Sequence, residues 1–107
     1  MSDTDEVVVV ATIVPQAEHR KDVRKALTHA IDRVHDEDEG CLLYALHESP
    51  EAFVMIEKWS SAETLKAHSQ SPAYQELGGA LGSRLAGAPE VKFLTAIPAG
   101  TDRQGAL

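Results

Sequence analysis

The sequence predicts an α+β fold of the ferredoxin-like type, a β-α-β-β-α-β chain whose antiparallel sheet carries its helices on one face. Three observations lead to it. A β-branched run of strand length lies near the start, two strand-like runs flank a short turn in the middle, and helical periods separate these runs from one another and from a last strand. At 107 residues, the chain 1–107 is predicted to be one domain, with its core at about 7–98 and a polar tail at 99–107.

The first strand and first helix are predicted at residues 7–14 and 17–38. The strand is β-branched almost throughout, which favours burial on both faces, and Pro15 ends it. Gly40 follows the helix as a residue that can adopt positive φ. The helix carries one apolar stripe at spacings of three, four and seven, made of Val23, Leu27, Ala30, Ile31 and Val34.

Residues 41–48 and 53–59 are predicted to pair as a hairpin through the turn 49–52. If Glu48 lies opposite Phe53, three further pairs follow: Leu46 with Met55, Tyr44 with Glu57, and Leu42 with Trp59. All of these side chains then share one face of the sheet. The other face is predicted to hold Cys41, Leu43, Ala45, His47, Val54 and Ile56.

Two short helices are predicted between the hairpin and the last strand. Ser60 is placed as the N-cap of the first, with Glu63 completing a capping box. Ser71 is placed as the N-cap of the second, with Pro72 at its first position. The second helix presents an apolar side made of Tyr74, Leu77, Leu81 and Leu85, and the last strand is predicted at residues 90–97.

A candidate site arises where the second hairpin strand meets the next helix. Glu57 lies on a largely apolar face two residues before Trp59, and His68 lies on the helix that follows. A buried carboxylate needs a partner, so Glu57 is expected to pair with His68 or Tyr44, either for structure or for proton transfer. A simpler interpretation makes His68 a surface or capping residue and the aromatic side chains part of the core.

Composition excludes several functional classes. The formal charge of −7 and the lack of a basic cluster disfavour nucleic acid as a partner. A single cysteine suits the cytoplasm, no apolar run is long enough for a membrane span, and no leader-like segment is evident. The histidine spacing does not suit a metal, and the glycines match no phosphate-binding loop, so neither a metal nor a nucleotide cofactor is expected.

Several residues together resemble the antibiotic biosynthesis monooxygenase family, which includes small quinol monooxygenases, and in particular its actinobacterial members. They are Gly40-Cys41, Tyr44, Glu57-x-Trp59, His68 and Ser71-Pro72. The resemblance implies a dimeric α+β barrel, with a pocket between sheet and helices. It also implies oxygenation of quinols or phenols without metal, flavin or haem. The chain contains no asparagine, a residue that the haem-degrading relatives use.

The expected function is therefore a cofactor-independent monooxygenase that oxidises an electron-rich phenol or hydroquinone with dioxygen. His68 is expected to act as the base, Glu57 as its orienting partner, and Tyr44 as a polar anchor. The substrate pocket is expected to be formed by Trp59, Phe53, Met55, Leu42 and Tyr74.

Two other functions remain open at this stage. One is an isomerase or proton-transfer enzyme acting on a small carbonyl compound, for which Lys92 or Arg84 would have to bind any phosphate. The other is a stress protein that binds a small molecule without catalysis.

Assembly is predicted from the sheet alone. The helices can cover only one face, which leaves Leu43, Ala45, Val54 and Ile56 on the other. A soluble monomer rarely exposes such a patch, so a homodimer packed sheet on sheet is expected.

Overall fold

The computed structural model describes residues 5–107 and confirms the ferredoxin-like plan. The four strands form one antiparallel sheet in the order β2-β3-β1-β4. In chain order the elements are β1 Val7–Ile13, α1 Arg20–Glu37, β2 Cys41–Glu48, β3 Phe53–Trp59, α2 Ala62–Ser69, α3 Pro72–Leu81 and β4 Glu90–Leu94. Short 3-10 turns at Ala17–His19 and Gly82–Arg84 precede α1 and follow α3.

The core lies between the sheet and the three helices. Along β3 every second side chain is buried, from Phe53 to Trp59, as the alternation of a strand requires. The predicted stripe of α1 is buried against this face, with only Ile31 half-buried. Phe53 ends the core beneath the guanidinium groups of Arg20 and Arg24, at 4.7 and 5.7 Å from its ring centroid.

The hairpin register is confirmed for most of its length and wrong at one end. Glu48 lies opposite Phe53 and Tyr44 opposite Glu57, but a bulge between Cys41 and Leu43 shifts the pairing. Cys41 therefore lies opposite Trp59 and packs against the core, where Leu42 had been expected. The extra residue reverses the alternation locally, so Leu42 is 51% exposed.

The start of α2 and the end of β4 differ from the prediction. The N-cap of α2 is Ser61 rather than Ser60: its hydroxyl accepts a hydrogen bond from the Thr64 backbone N–H, and the Thr64 hydroxyl accepts one from the Ser61 N–H. This capping box uses threonine in place of the predicted Glu63. Strand β4 is shorter than the predicted 90–97: it spans Glu90–Leu94, and Leu94 pairs with Val8 near the start of β1.

Gly40 allows the turn after α1 to approach α2 closely. Its φ of +79° confirms the predicted positive value. A Cβ atom at this position would lie 2.5 Å from the Cβ and Cγ2 of Thr64 and 2.6 Å from the Ser60 hydroxyl. The Ser60 N–H also donates a hydrogen bond of 2.8 Å to the Gly40 carbonyl. The end of α1 is thereby held against the start of α2.

The face of the sheet opposite the helices carries apolar side chains from strands β2, β3 and β1. Leu43, Ala45, Val54 and Ile56 are half-buried there, and Val8 is buried. Lys58, on the same face, donates a hydrogen bond of 3.1 Å to the main-chain oxygen of Leu107. Within residues 5–107, no helix has the length and apolar character needed to cross a membrane.

The close approach at Gly40 predicts a large loss of stability for Gly40→Ala. The new methyl group would both clash with Thr64 and hold a β-carbon at positive φ, so the free energy of unfolding should fall by about 2–4 kcal/mol. Urea unfolding followed by circular dichroism measures this change.

The matched control is Gly79→Ala on α3, where a Cβ atom meets nothing within 4 Å. Alanine favours a helix more than glycine does, so the free energy of unfolding of this variant should rise by about 0.5–1 kcal/mol. Equal effects at the two glycines would contradict the structural role assigned to Gly40.

Candidate active site

A cavity of about 530 Å³ lies between the sheet and helices α2 and α3. That volume is in the range of small-molecule sites. Most of its lining is apolar, and the polar groups of interest are few. The lining includes Val9, Ala11, Ile13, Tyr44, Met55, Glu57, Leu65, Lys66, His68, Tyr74, Leu77, Leu81, Val91 and Phe93.

Glu57 is a buried carboxyl group facing this apolar cavity. Only 6% of the residue is exposed, and its Oε1 accepts a hydrogen bond of 2.9 Å from the indole N–H of Trp59. Burial disfavours the charged form and raises the pKa of Glu57 to about 7, although the hydrogen bond from Trp59 opposes the shift. Near neutral pH the group can therefore both accept and donate a proton.

His68 lines the same cavity as Glu57 and lies within an aromatic cluster. Its ring stacks on Trp59 with centroids 4.4 Å apart, and the edges of Tyr44 and Tyr74 meet it at 5.4 and 5.2 Å. The residue is 4% exposed. Aromatic packing on several sides thus fixes the plane of the imidazole at the cavity wall.

The hydrogen-bond partner of His68 is Asp38, which corrects the predicted pairing with Glu57. The Nδ1 atom of His68 lies 2.6 Å from Oδ2 of Asp38, and the same oxygen accepts a hydrogen bond from the Ser71 hydroxyl at 3.2 Å. Glu57 instead bonds to Trp59, its neighbour on the same face of β3. No hydrogen bond joins Glu57 to Tyr44 within the described part of the chain, so that alternative partner is also replaced by Trp59.

Sequence reasoning missed Asp38 because it lies 30 residues from His68. The available signal was its position, two residues before Gly40 at the end of α1. A short polar side chain there is placed to cap or to bond outside the helix. Only the close packing at Gly40 brings this carboxylate to α2.

The remaining predicted site residues divide into three groups. Tyr44, Met55 and Tyr74 line the cavity. Trp59 and Phe53 are fully buried and are not among its lining residues, so they support the site from behind instead of forming its walls. The exposed Leu42 lies outside it, because of the bulge.

The basic residues considered for a phosphate group also lie elsewhere. Arg84 bonds to the Ala80 carbonyl, and Lys92 is paired with Val10 on the face of the sheet opposite the helices. Lys66 is the basic residue that lines the cavity among the described residues. No group of three or more His, Cys, Asp or Glu side chains within residues 5–107 is arranged to hold a metal ion.

The walls contributed by β1 and β4 could not be foreseen from the sequence. Val9 pairs with Phe93 and Ala11 with Val91, which places all four on the cavity side of the sheet. These pairings join strands some 80 residues apart, and no turn sets their register. Phe93 is 65% exposed and lies at the rim, so the cavity opens along β4.

The fold and site together define a class: a small α+β domain with an apolar cavity that carries a buried carboxyl group and a buried imidazole. The profile of the family described as antibiotic biosynthesis monooxygenase matches residues 6–78. The chain belongs to this family, as the resemblance in its sequence indicated. No curated protein matches the sequence.

Solved structures agree with the assignment. A Caulobacter crescentus CB15 protein, provisionally named an antibiotic biosynthesis monooxygenase, is 27% identical, with a TM-score of 0.83 over 90% of this chain and 93% of its own. Rv0793 from Mycobacterium tuberculosis is 26% identical, with a TM-score of 0.83 over 91% of this chain and 100% of its own. A similarly named protein from Deinococcus radiodurans is 25% identical, with a TM-score of 0.76 over 89% and 96% of the two chains.

The raised pKa of Glu57 predicts a pH-dependent stability that Glu57→Gln should remove. The folded protein holds a proton on Glu57 up to about pH 7, whereas the unfolded chain releases it near the ordinary value of 4.5. The stabilisation that comes from this tighter proton binding is therefore fully present below pH 4.5 and is lost as the pH rises through 7. As the pH rises from 5 to 8, the free energy of unfolding of the variant should increase by about 2–3 kcal/mol relative to that of wild type.

Urea unfolding at several pH values measures the free energy of unfolding of wild type and variant. The difference between them removes the contribution of groups that titrate in the same way in both proteins. Glu63→Gln on the exposed side of α2 serves as the control and should track wild type. Parallel curves for wild type and Glu57→Gln would show that the Glu57 pKa is not raised.

Proposed function

We propose that this protein is a cofactor-independent monooxygenase that oxidises an electron-rich phenol or hydroquinone with dioxygen. The observation that supports the proposal most is the pairing of an apolar cavity with two proton-transfer groups, His68 and Glu57, on its wall. A base forms the phenolate, which can give an electron to dioxygen, and an apolar cavity protects the intermediate from water. Membership of the monooxygenase family agrees with this chemistry.

In the proposed site, His68 accepts the phenol proton and Tyr44 binds the substrate oxygen. Burial and the nearby Glu57 raise the pKa of Tyr44, so its hydroxyl stays protonated and can donate a hydrogen bond. Met55 and Tyr74, which line the cavity, contact the bound ring. Trp59 supports the site from behind.

For a hydroquinone the reaction balances without any other reductant. The phenolate gives one electron to dioxygen, and the resulting radical and superoxide join to form a carbon–oxygen bond at the ring. Cleavage of the peroxide O–O bond leaves one oxygen atom on the ring as a carbonyl. Glu57 carries the ring C–H proton to the departing oxygen, and His68 returns the phenol proton to it. The products are a hydroxyquinone and water, and the enzyme is unchanged.

A second candidate is an isomerase that moves a proton on a small carbonyl compound. It is favoured by the same two proton-transfer groups, since Glu57 titrates near neutral pH and no oxygen is needed for such a reaction. A phosphorylated substrate would find only Lys66 among the described lining residues. Turnover that persists under strict anaerobiosis would favour this candidate over oxygenation.

The monooxygenase proposal predicts oxygen uptake with a panel of hydroquinones, at one dioxygen consumed per substrate. Added catalase should return no oxygen, because no hydrogen peroxide is released, and ¹⁸O₂ should place one labelled atom in the product. Since the base is lost, His68→Gln should lower kcat by about 10²–10⁴-fold.

The control variant is His29→Gln on the exposed side of α1, which should retain full activity. Uptake no higher than the autoxidation blank across the panel would contradict the proposal. A binding protein without catalysis would instead show ligand-induced thermal stabilisation and no turnover.

We also propose that the protein is a homodimer joined through the face of the sheet that carries Leu43, Ala45, Val54 and Ile56. The three α-helices pack on the opposite face, so within residues 5–107 no α-helix covers these side chains. Burying several Leu, Ile and Val side chains contributes about 25 cal/mol per Å² of apolar surface, which can exceed the entropic cost of association. A two-fold axis would place the patch against its own copy.

The dimer predicts that Ile56→Asp dissociates or unfolds the protein, because an unpaired charge would be buried in the interface. Sedimentation equilibrium at micromolar concentration measures the change. Gln75→Asp on exposed α3 adds the same charge on the helix side and should leave the dimer intact. A folded wild-type monomer under these conditions would rule out the interface.

A further inference from the structure

Asp38, Ser71 and His68 form a polar cluster at the cavity wall, and the proposed reaction does not account for it. The side chains of Asp38 and His68 are buried, and Ser71 is half-buried. The three residues come from the end of α1, the N-cap of α3 and the last turn of α2. We propose that Asp38 is a positioning residue: it holds the Nδ1 proton of His68, so that Nε2 presents its lone pair to the cavity. This inference rests on the proposed function of His68 as a base.

The hydrogen bonds around Ser71 indicate that Asp38 acts as an acceptor. The Ser71 hydroxyl oxygen accepts a hydrogen bond of 3.2 Å from the Tyr74 backbone N–H, so its own proton is directed to Asp38. Oδ2 of Asp38 is therefore already an acceptor. Nδ1 of His68 lies 2.6 Å from the same oxygen. Since a carboxylate can only accept, Nδ1 donates its proton to Oδ2.

The imidazole has little freedom to turn away from this arrangement. Stacking on Trp59 fixes its plane, and the edges of Tyr44 and Tyr74 restrict its tilt. No described residue forms a hydrogen bond to Nε2. Every fully shielded side-chain nitrogen or oxygen in the described part of the chain has a hydrogen-bond partner, so Nε2, which has none, is accessible. Nε2 is therefore the ring nitrogen left for a ligand in the cavity that His68 lines.

The placement of Asp38 matters because a histidine ring can act as a base only at the nitrogen without a proton. The hydrogen bond made by one ring nitrogen decides which tautomer is present. Without an acceptor at Nδ1, the proton can occupy Nε2 and block the side that faces the substrate. In enzymes where a carboxylate orients a catalytic histidine, replacing it by the amide costs activity chiefly through the wrong tautomer.

The direct test is ¹⁵N NMR of the histidine rings, in protein labelled at ring nitrogen and free of substrate. His68→Gln identifies the signals of His68. In wild type the neutral ring should be the Nδ1–H tautomer. A neutral Nε2–H tautomer, or a ring that stays doubly protonated at the pH of any activity, would overturn the proposal.

Asp38→Asn should shift the neutral ring toward the Nε2–H tautomer, because the amide group can donate to Nδ1. Asp36→Asn, an exposed neighbour on α1, is the matched control and should leave the tautomer unchanged. Ser71→Ala removes the other partner of Asp38 and should also preserve the Nδ1–H form. If Asp38→Asn does not fold, the wild-type and Ser71→Ala spectra still decide the question.

Activity provides a second measurement. Asp38→Asn should lower kcat roughly 10²–10⁴-fold with little change in KM, and Asp38→Glu should restore part of the loss, since a carboxylate is again present. Loss of activity in Asp38→Asn without a change of tautomer would overturn the positioning role. If wild type consumes no oxygen yet shows the Nδ1–H tautomer, the proposed function fails and the role of Asp38 stands.

Discussion

The indole of Trp59 is the contact on which the cavity depends. Its ring face stacks on His68, and its N–H binds Glu57, so one fully buried side chain holds both titratable groups in place. The indole also gives the buried carboxyl its hydrogen-bond partner among the described residues. Without it, Glu57 would face an apolar wall with no polar contact, which is among the costliest arrangements in a protein interior.

Burying a carboxyl group and an imidazole together reduces stability, and Glu57 and His68 are the buried polar residues among those that the structure describes. Apolar side chains fill the rest of the core, and the rigid turn at Gly40 brings Asp38 to His68. Functional sites often keep groups that a more stable core would replace. The raised pKa of Glu57 is the measurable sign of that cost, and it is also what suits the group to proton transfer near neutral pH.

Much of the fold could be predicted from local patterns. The alternation along β3, the period of α1 and the cap at Ser71 each depend on a few neighbouring residues, and the structure confirms them. The hairpin register was correct up to the bulge at Leu42, because a short turn fixes the pairing near it. The bulge itself is set by how Cys41 fits against the core, which no local pattern records.

The sequence by itself determined the fold, the family and the strand that carries Glu57 and Trp59, since these follow from periodicity and short motifs. Only the tertiary structure decided which residues contact one another at the site. Asp38 bonds to His68 across 30 positions, β4 closes the cavity beside β1, and Trp59 lies behind the wall instead of in it. Such contacts depend on how elements pack in three dimensions, whereas a sequence pattern describes only which face of its own element a residue occupies.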